Sequence, residues 1–416
     1  MESLHIEGGA RLSGTVHVAG AKNAALPACI AALLTDEAVV LHDVPQLRDV
    51  STILYTLGAL GRRVVRHGDH VSIAAGAALS PEADAYSVRQ MRASFLVLAP
   101  LVARLGRAVV PLPGGCAIGR RPIDLHLEGL RALGARVEEN GGVVRVTADR
   151  LKGARIALPF ASVGATEQIL MGAVLAEGET EIENGAIEPE VEDLVCLLRK
   201  MGARIEIEGR TIRITGVRAL GPAEHTLIPD RMEAGTFLLA GAIGGGPLAV
   251  VGARSDHLGS FLRALEETGA EICVEDGVVT VHGAIHPTAI ELSTAPYPGF
   301  PTDLHPPLAA YLARAAGTSR IHETVFEDRF AYVDALCHMG ARMARTGRTL
   351  SISGVEALRG RPVAATDIRA GAALVLAGLA AEGTTDVTQL EHIDRGYAAL
   401  EEKLQKLGAR IERHDD

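Results

Sequence analysis

Apolar stretches of helical length alternate with short segments in which apolar and polar residues take turns, and this alternation itself repeats. Apolar runs end at Leu60-Gly61, Leu133-Gly134-Ala135, Met201-Gly202-Ala203, Thr268-Gly269-Ala270, Met339-Gly340-Ala341 and Leu407-Gly408-Ala409, so the glycines recur at intervals of 73, 68, 67, 71 and 68 residues. Glycine in that place fits the left-handed residue that closes a helix. A period-two segment follows, as in Arg204-Ile205-Glu206-Ile207-Glu208, then a turn and a second one, Thr211-Ile212-Arg213-Ile214. That pattern predicts a β-hairpin, and Asp276-Gly277 marks the same turn in the fourth copy.

A second marker lies at Asp36, Gly106, Gly178, Gly246, Gly317 and Gly383, each after an apolar helical stretch and before a strand. Each copy therefore reads strand, helix, strand, helix, hairpin, and six copies of about 70 residues account for the chain. The last copy stops at Ile411-Glu412-Arg413 without its second hairpin strand, whereas Leu4-His5-Ile6-Glu7-Gly8 resembles that strand in the fifth copy, Leu350-Ser351-Ile352-Ser353-Gly354. The expectation is two α/β domains of three repeats each: residues 21–228, and residues 229–416 completed by residues 1–20.

Composition narrows the class. The 416 residues suit about two or three domains of roughly 150 residues. With 48% hydrophobic and 22% charged residues the chain reads as globular, and with no Trp its core is built from Ala, Val, Leu and Ile. The net charge of −10, without a basic run, argues against nucleic acid as a partner. Met1-Glu2-Ser3-Leu4-His5 lacks the features of a signal peptide, and Gly244-Gly245-Gly246-Pro247 interrupts the one uncharged stretch long enough to suggest a membrane helix. The five cysteines (29, 116, 196, 273 and 337) are never closer than 64 residues, which makes neither a disulfide framework nor a CxxC metal site. A cytoplasmic location is expected. Cys29, Cys196 and Cys337 lie in apolar helical runs and read as core fillers.

The repeat register picks out the candidate chemistry. Fourteen residues before the second markers stand Lys22, Arg92, Gly164, Met232, Asp303 and Arg369, equivalent positions at the starts of six helices. Helix starts favour acids and bind anions, yet three copies carry Lys or Arg. A solvated surface charge accounts for one such residue and accounts poorly for three in register. The loops after the second-marker strands add Arg48-Asp49, Cys116 with Arg120-Arg121, Glu188-Pro189-Glu190, Glu327-Asp328-Arg329 and His392-Ile393-Asp394-Arg395. Two domains facing one another through these ends would line a cleft with Lys22, Arg92, Arg121, Arg329, Arg369 and Arg395, suited to a small, multiply charged anion.

The segment from Pro111 to Pro122 has three prolines and three glycines and reads as a loop, with Cys116 at its tip. Arg120 and Arg121 would favour its thiolate; the plainer reading is an inert, half-buried thiol. Asp303 reads equally as a helix cap or as a general base for a substrate hydroxyl. Asp230 looks structural, and neither His126 nor His392 has metal-ligand spacing. Ser162-Val163-Gly164-Ala165-Thr166 is a short turn able to offer N–H groups to a diphosphate, and matches no nucleotide fingerprint.

Eight motifs, in order and at matching spacing over the whole chain, resemble one family. They are Ala19-Gly20-Ala21-Lys22-Asn23-Ala24-Ala25-Leu26-Pro27, Met91-Arg92-Ala93-Ser94, Pro113-Gly114-Gly115-Cys116 with Arg121-Pro122-Ile123-Asp124-Leu125-His126, Ser162 to Thr166, Phe300-Pro301-Thr302-Asp303, Glu323-Thr324-Val325-Phe326-Glu327 with Arg329, Ala365-Thr366-Asp367-Ile368-Arg369, and His392-Ile393-Asp394-Arg395-Gly396-Tyr397. The family is that of the UDP-N-acetylglucosamine 1-carboxyvinyltransferases, enolpyruvyl transferases of peptidoglycan synthesis. Its fold, two inside-out α/β domains of three repeats with the active site between them, agrees with the repeat count.

The resemblance implies attack of the sugar 3-hydroxyl on C2 of phosphoenolpyruvate, protonation at C3, and loss of phosphate from a tetrahedral ketal. It implies Cys116 as proton donor and Asp303 as acceptor of the hydroxyl proton. By the same resemblance Lys22, Arg121 and Arg395 would hold the phosphate, and Arg329 and Arg369 would hold the carboxylate or help close the domains. Arg92 resembles a residue at the nucleotide-sugar and domain-closure site, and Asn23, Pro122, Ile123, Asp124, Leu125, His126, Ser162, Val163, Gly164 and Val325 would line the nucleotide-sugar pocket. No metal or organic cofactor is called for. Phe95 and Phe160 depart from members that carry Trp and Lys there, which bears on nucleotide affinity. Cys116 is retained where some members carry Asp, which implies alkylation by the epoxide fosfomycin. The alternatives are a shikimate-3-phosphate enolpyruvyl transferase, which lacks the Pro-Gly-Gly-Cys loop, and a non-catalytic regulatory homologue that binds nucleotide sugar.

Overall fold

The computed structural model describes residues 2–114, 123–284 and 286–415. These form two compact units: an inserted unit of residues 20–114 and 123–228, and a flanking unit of residues 2–19, 229–284 and 286–415. Cys116, Arg121 and Pro122 lie outside the described residues.

Six sheets share one plan, a parallel strand pair extended by an antiparallel hairpin. In the inserted unit, Arg155–Ala157 runs parallel to Glu179–Glu183, which pairs antiparallel with Thr211–Thr215 and so with Arg204–Glu208. A second sheet has Ala223–Thr226 parallel to Val39–His42, followed by His70–Ala75 and Arg62–His67. The third, Arg107–Pro111, Val143–Thr147 and Arg136–Asn140, has only a parallel bridge from Glu82 to Val109 in place of the first strand. In the flanking unit the strand Glu2–Glu7 lies between Thr384–Thr388 and Arg410–Asp415, antiparallel to both, with Leu4 opposite Val387 and Arg413. The N-terminal strand thus supplies the hairpin partner missing from the last repeat.

The cap glycines 61, 134, 202, 269, 340 and 408 have φ between 86° and 104°, a conformation open to Gly and costly for residues with a Cβ. Each one ends an amphipathic helix and turns the chain into a hairpin. These outer helices, such as Pro189–Lys200, bury one apolar stripe. Cys196 and Cys337 both lie on them, and this corrects the core-filler expectation: Cys196 is exposed and Cys337 half-buried, while Leu194, Val195, Leu197 and Leu198 take the inward face. Cys29 alone of the three is buried, and burial pushes its thiol up to about 12.

Six inner helices carry the apolar runs: α1 (Lys22–Ala31), α2 (Leu98–Leu105) and α3 (Val163–Ala173) in the inserted unit, α4 (Arg231–Gly244), α5 (His305–Leu312) and α6 (Ile368–Ala380) in the flanking one. Most are buried nearly all round, so they lack the polar face of a surface helix. Helices α4, α5 and α6 pack on one another, with Leu308, Leu312, Leu374 and Phe237 fully buried. Each such side chain contributes about 1.5–3 kcal/mol on leaving water. Close packing fixes the helix starts, and with them the polar residues they carry. No helix of the described residues is long and apolar enough to cross a membrane.

Candidate functional site

The six register positions all fall in a first helical turn. Lys22 opens α1, Arg92 opens the 3₁₀ turn Arg92–Val97 that leads into α2, and Gly164 is the second residue of α3. Met232 is second in α4, Asp303 second in the turn Thr302–Leu304 before α5, and Arg369 second in α6.

In the flanking unit two of the three helix starts are closed by an aspartate. Asp230 Oδ1 accepts the N–H groups of Met232 and Glu233 at 2.8 and 3.0 Å, and Asp367 Oδ1 those of Arg369 and Ala370 at 2.8 and 3.0 Å. Asp230 is structural here, in keeping with its sequence reading. The third start differs, because Asp303 does not cap its turn. Its carboxylate instead meets two guanidiniums. Oδ1 accepts from Arg329 Nη1 and Oδ2 from Arg369 Nε at 3.0 Å, with Arg369 Nη2 in ion-pair range at 2.9 Å. The arginine side chains are 7% and 5% exposed and that of Asp303 is 25% exposed, so the carboxylate is the accessible member of the group. Burial pushes the Asp303 carboxyl up, but Arg329 and Arg369 outweigh it and hold the group well below the usual carboxylate range.

Both cations have a second layer. Arg369 Nη1 donates to Tyr397 Oη at 3.1 Å, and that hydroxyl lies 2.9 Å from Thr236 Oγ1, which donates to the Met232 carbonyl of α4. Burial pushes the Tyr397 phenol up, so it stays neutral. Arg329 lies 5.0 Å over the Phe326 ring. The 390–397 turn, with Arg395 half-buried in it, is pressed onto the start of α6: a Cβ at Gly371 would meet Ile393 Cγ1 at 2.5 Å, and one at Gly396 would meet Ile368 Cγ2 at 2.4 Å. Val325, half-buried, sits in the segment between the Glu323 strand end and Arg329.

In the inserted unit Lys22 pairs with Asp49 of the outer helix Arg48–Ala59, Nζ to Oδ2 2.9 Å, and both side chains are nearly buried. Asn23 beside it is exposed, and Arg92 is half-buried. Ser162 caps α3 through the Ala165 N–H at 3.4 Å. His126, on the outer helix Asp124–Ala132, is buried and touches two helix starts at once. Its ring stands edge-on to Phe95 at 5.8 Å, and a Cβ on Gly164 would lie 2.9 Å from its Cε1. Ile123 and Leu125 are half-buried and Asp124 exposed; Ser162, Val163 and Gly164 are half-buried. Phe160 is 41% exposed two residues before the cap.

Three sets of the expected residues are therefore in contact: Asp303 with Arg329 and Arg369, Lys22 with Asp49, and His126 with Gly164. Tyr397 and Asp49 stood inside quoted motifs without a role assigned, and no local signal marks either as a partner of a buried cation. Among the described residues no group of three His, Cys, Asp or Glu is arranged to hold a metal.

The chain is similar to known proteins over its full length. The family model for EPSP synthase (3-phosphoshikimate 1-carboxyvinyltransferase) matches residues 6–404. UDP-N-acetylglucosamine 1-carboxyvinyltransferase 2 of Carboxydothermus hydrogenoformans is 51% identical, covering 100% of both chains. The UDP-N-acetylglucosamine 1-carboxyvinyltransferase of Geobacter metallireducens is 49% identical over 99% of each. Among solved structures, the enolpyruvyl transferase NikO from Streptomyces tendae has a TM-score of 0.91 at 29% identity, covering 99% of this chain and 98% of that one. EPSP synthase from Acinetobacter baumannii has a TM-score of 0.79 at 20% identity over 100% of each chain, a likeness of fold alone. With full-length relatives near 50% identity and the inner-helix architecture of an enolpyruvyl transferase, the chain belongs to the UDP-N-acetylglucosamine 1-carboxyvinyltransferase family, enzymes of the EPSP synthase fold.

Proposed function

We propose that this enolpyruvyl transferase acts in the cytoplasm on phosphoenolpyruvate and UDP-N-acetylglucosamine, as the first committed step of peptidoglycan synthesis. The sugar 3-hydroxyl forms a C–O bond to C2 of phosphoenolpyruvate and gives up its proton, while C3 takes a proton. The resulting ketal then loses a C3 proton and its C2–O bond to phosphorus, releasing inorganic phosphate and the enolpyruvyl ether. The relatives' full-length identity supports the substrates. The observation that carries the chemistry is the accessible Asp303 carboxylate held between two buried guanidiniums.

That arrangement couples anion binding to base strength. Paired with Arg329 and Arg369, the Asp303 carboxylate is a poor proton acceptor. A substrate carboxylate or phosphate competes for the same N–H donors, and each bond it takes from Asp303 raises the basicity of the aspartate. The base therefore becomes competent as the anion arrives. Asp303 receives the hydroxyl proton, Arg329 and Arg369 hold the substrate carboxylate, Lys22, Arg121 and Arg395 hold the phosphate, and Cys116 protonates C3. Arg92, Asn23, residues 122–126 and 162–164, and Val325 bind the nucleotide sugar. Fixed cations in a closed site balance the developing phosphate charge.

The test is phosphate release from phosphoenolpyruvate with UDP-N-acetylglucosamine or shikimate-3-phosphate as acceptor, for wild type and Cys116→Ala. Release that needs UDP-N-acetylglucosamine and collapses in the variant is expected. Release with shikimate-3-phosphate instead would reassign the acceptor, and binding of nucleotide sugar without any release would favour a regulatory homologue.

A further inference from the structure

Behind the Asp303 group lies a carboxylate for which neither the register nor the proposed chemistry accounts. Glu323, at the end of the strand Thr318–His322, has a side chain with no exposed surface. Five donors converge on it. Oε1 accepts from Thr294 Oγ1 at 2.8 Å and from the N–H groups of Val325 and Phe326 at 2.8 and 3.0 Å; Oε2 accepts from Thr302 Oγ1 at 2.8 Å and His305 Nδ1 at 3.0 Å. His305 Nε2 in turn lies 2.8 Å from Tyr332 Oη. A buried carboxylate is costly unless its lone pairs are used, and here five donors cover about four sites.

The donors come from two segments that meet again at Asp303. Thr302 is the residue immediately before it. On the other side, the N–H held by Glu323 anchors Phe326, a residue whose own carbonyl accepts the Arg329 backbone N–H at 3.3 Å and whose ring underlies the Arg329 guanidinium. The two arms, Glu323–Thr302–Asp303 and Glu323–Phe326–Arg329, close through the Asp303–Arg329 ion pair. We propose that Glu323, oriented by His305, is a positioning residue that sets the Asp303–Arg329 geometry on which proton transfer and anion binding depend. The proton order is consistent. Burial pushes the Glu323 carboxyl up, but His305 and the other donors bring it down to about 2, while burial holds His305 below its usual range. An ionised Glu323 beside a neutral His305 requires the proton on Nδ1, which leaves Nε2 to accept from the Tyr332 hydroxyl. Each link in the row then has one polarity, and the tautomer cannot flip without orphaning a buried group.

The inference rests on the reaction proposed above, and its test separates the two. Thr302→Val removes the hydroxyl that ties Glu323 to the Asp303 turn at nearly constant volume; Thr302→Ser keeps it. With phosphate release as the assay, Thr302→Val should lose about tenfold in kcat and Thr302→Ser about twofold or less, while Glu323→Gln should lose about a hundredfold, the scale of a 1 Å misplacement. For the two Thr302 variants the Kd for UDP-N-acetylglucosamine, measured by calorimetry, should stay within about threefold, because the Thr302 hydroxyl bonds Glu323 Oε2 whereas Val325 is held by Oε1, and the other candidates for binding the nucleotide sugar, Asp303 apart, lie in the other unit. Equal kcat for the Val and Ser variants would overturn the proposal, and so would a Glu323→Gln enzyme as active as wild type. If Glu323→Gln does not fold, the Thr302 pair decides. Wild type without activity would remove the reaction but not the positioning claim, which a crystal structure of Thr302→Val then settles: Asp303 displaced from Arg329 supports it, and an unchanged pair refutes it.

Discussion

Oδ2 of Asp303 accepts the Nε hydrogen of Arg369 at 3.0 Å and pairs with Nη2 at 2.9 Å, while the third nitrogen of the same guanidinium, Nη1, is fixed by Tyr397. The planar fork is thereby spent on one side by a partner a substrate anion can displace and on the other by one it cannot. Arg369→Lys keeps the charge and loses the fork. We expect the KM for phosphoenolpyruvate to rise by about tenfold or more in Arg369→Lys, with less than about threefold change in UDP-N-acetylglucosamine affinity, both read from steady-state kinetics and calorimetry.

Asp303→Asn removes the proposed base and leaves two buried cations facing each other. Turnover should fall by about 10²–10⁴. Stability should drop by about 3 kcal/mol near neutral pH. Because the folded Asp303 carboxyl lies below its unfolded value, its contribution is fully present above the unfolded pKa of about 3.9 and is lost as pH falls toward the folded one. The gap in melting temperature between wild type and Asp303→Asn should therefore be flat from about pH 5 upward and shrink below about pH 4. A gap that grows on acidification would contradict the assigned direction.

Gly164→Ala sets a methyl group 2.9 Å from His126 Cε1. The ring cannot retreat freely, since Phe95 stands at its edge and His126 is buried. Overpacking of this kind costs about 1–3 kcal/mol. Calorimetry should show nucleotide-sugar affinity weakened by about tenfold or more, and retained affinity would place the nucleotide elsewhere.

Thiol selectivity gives a separate check. After incubation with fosfomycin, intact mass should show one adduct, absent in Cys116→Ser. Cys29, buried and pushed up to about 12, stays a thiol, and the neighbouring Glu275 carboxylate pushes exposed Cys273 up as well. An adduct that persists in Cys116→Ser would move the reactive thiol to another cysteine.

The repeating architecture was legible because its signals are local. A cap glycine before an alternating pair of segments needs no knowledge of the rest of the chain; six of them set the repeat, and the second markers in register exposed the equivalent helix starts. Lys22, Asp303 and Arg369 stood out for the same reason, being charges at positions whose equivalents can be compared. What stayed hidden depends on distant segments. The partnership of Asp303 with Arg329 joins residues 26 apart, and that with Arg369 residues 66 apart. Glu323, His305 and Tyr332 look like ordinary strand-end, helix and loop residues until the fold buries them against one another. Cys196 was misjudged because composition alone does not tell which face of an amphipathic helix a residue takes.

The strand Glu2–Glu7 pairs with Arg410–Asp415, and the inserted unit lies wholly between them in sequence. Synthesis runs from the first strand to the last, so the flanking sheet cannot close until about 400 residues more have been made. At about 5–20 residues per second that wait is about 20–80 s. The inserted unit, with both its boundaries already translated, is free to fold during this interval. The first strand meanwhile carries an open edge of unpaired N–H and C=O groups, the kind that recruits other chains. Its Glu2, His5 and Glu7 are polar, which keeps that edge soluble while it waits. The order of assembly on the ribosome thus follows from the register of one six-residue strand.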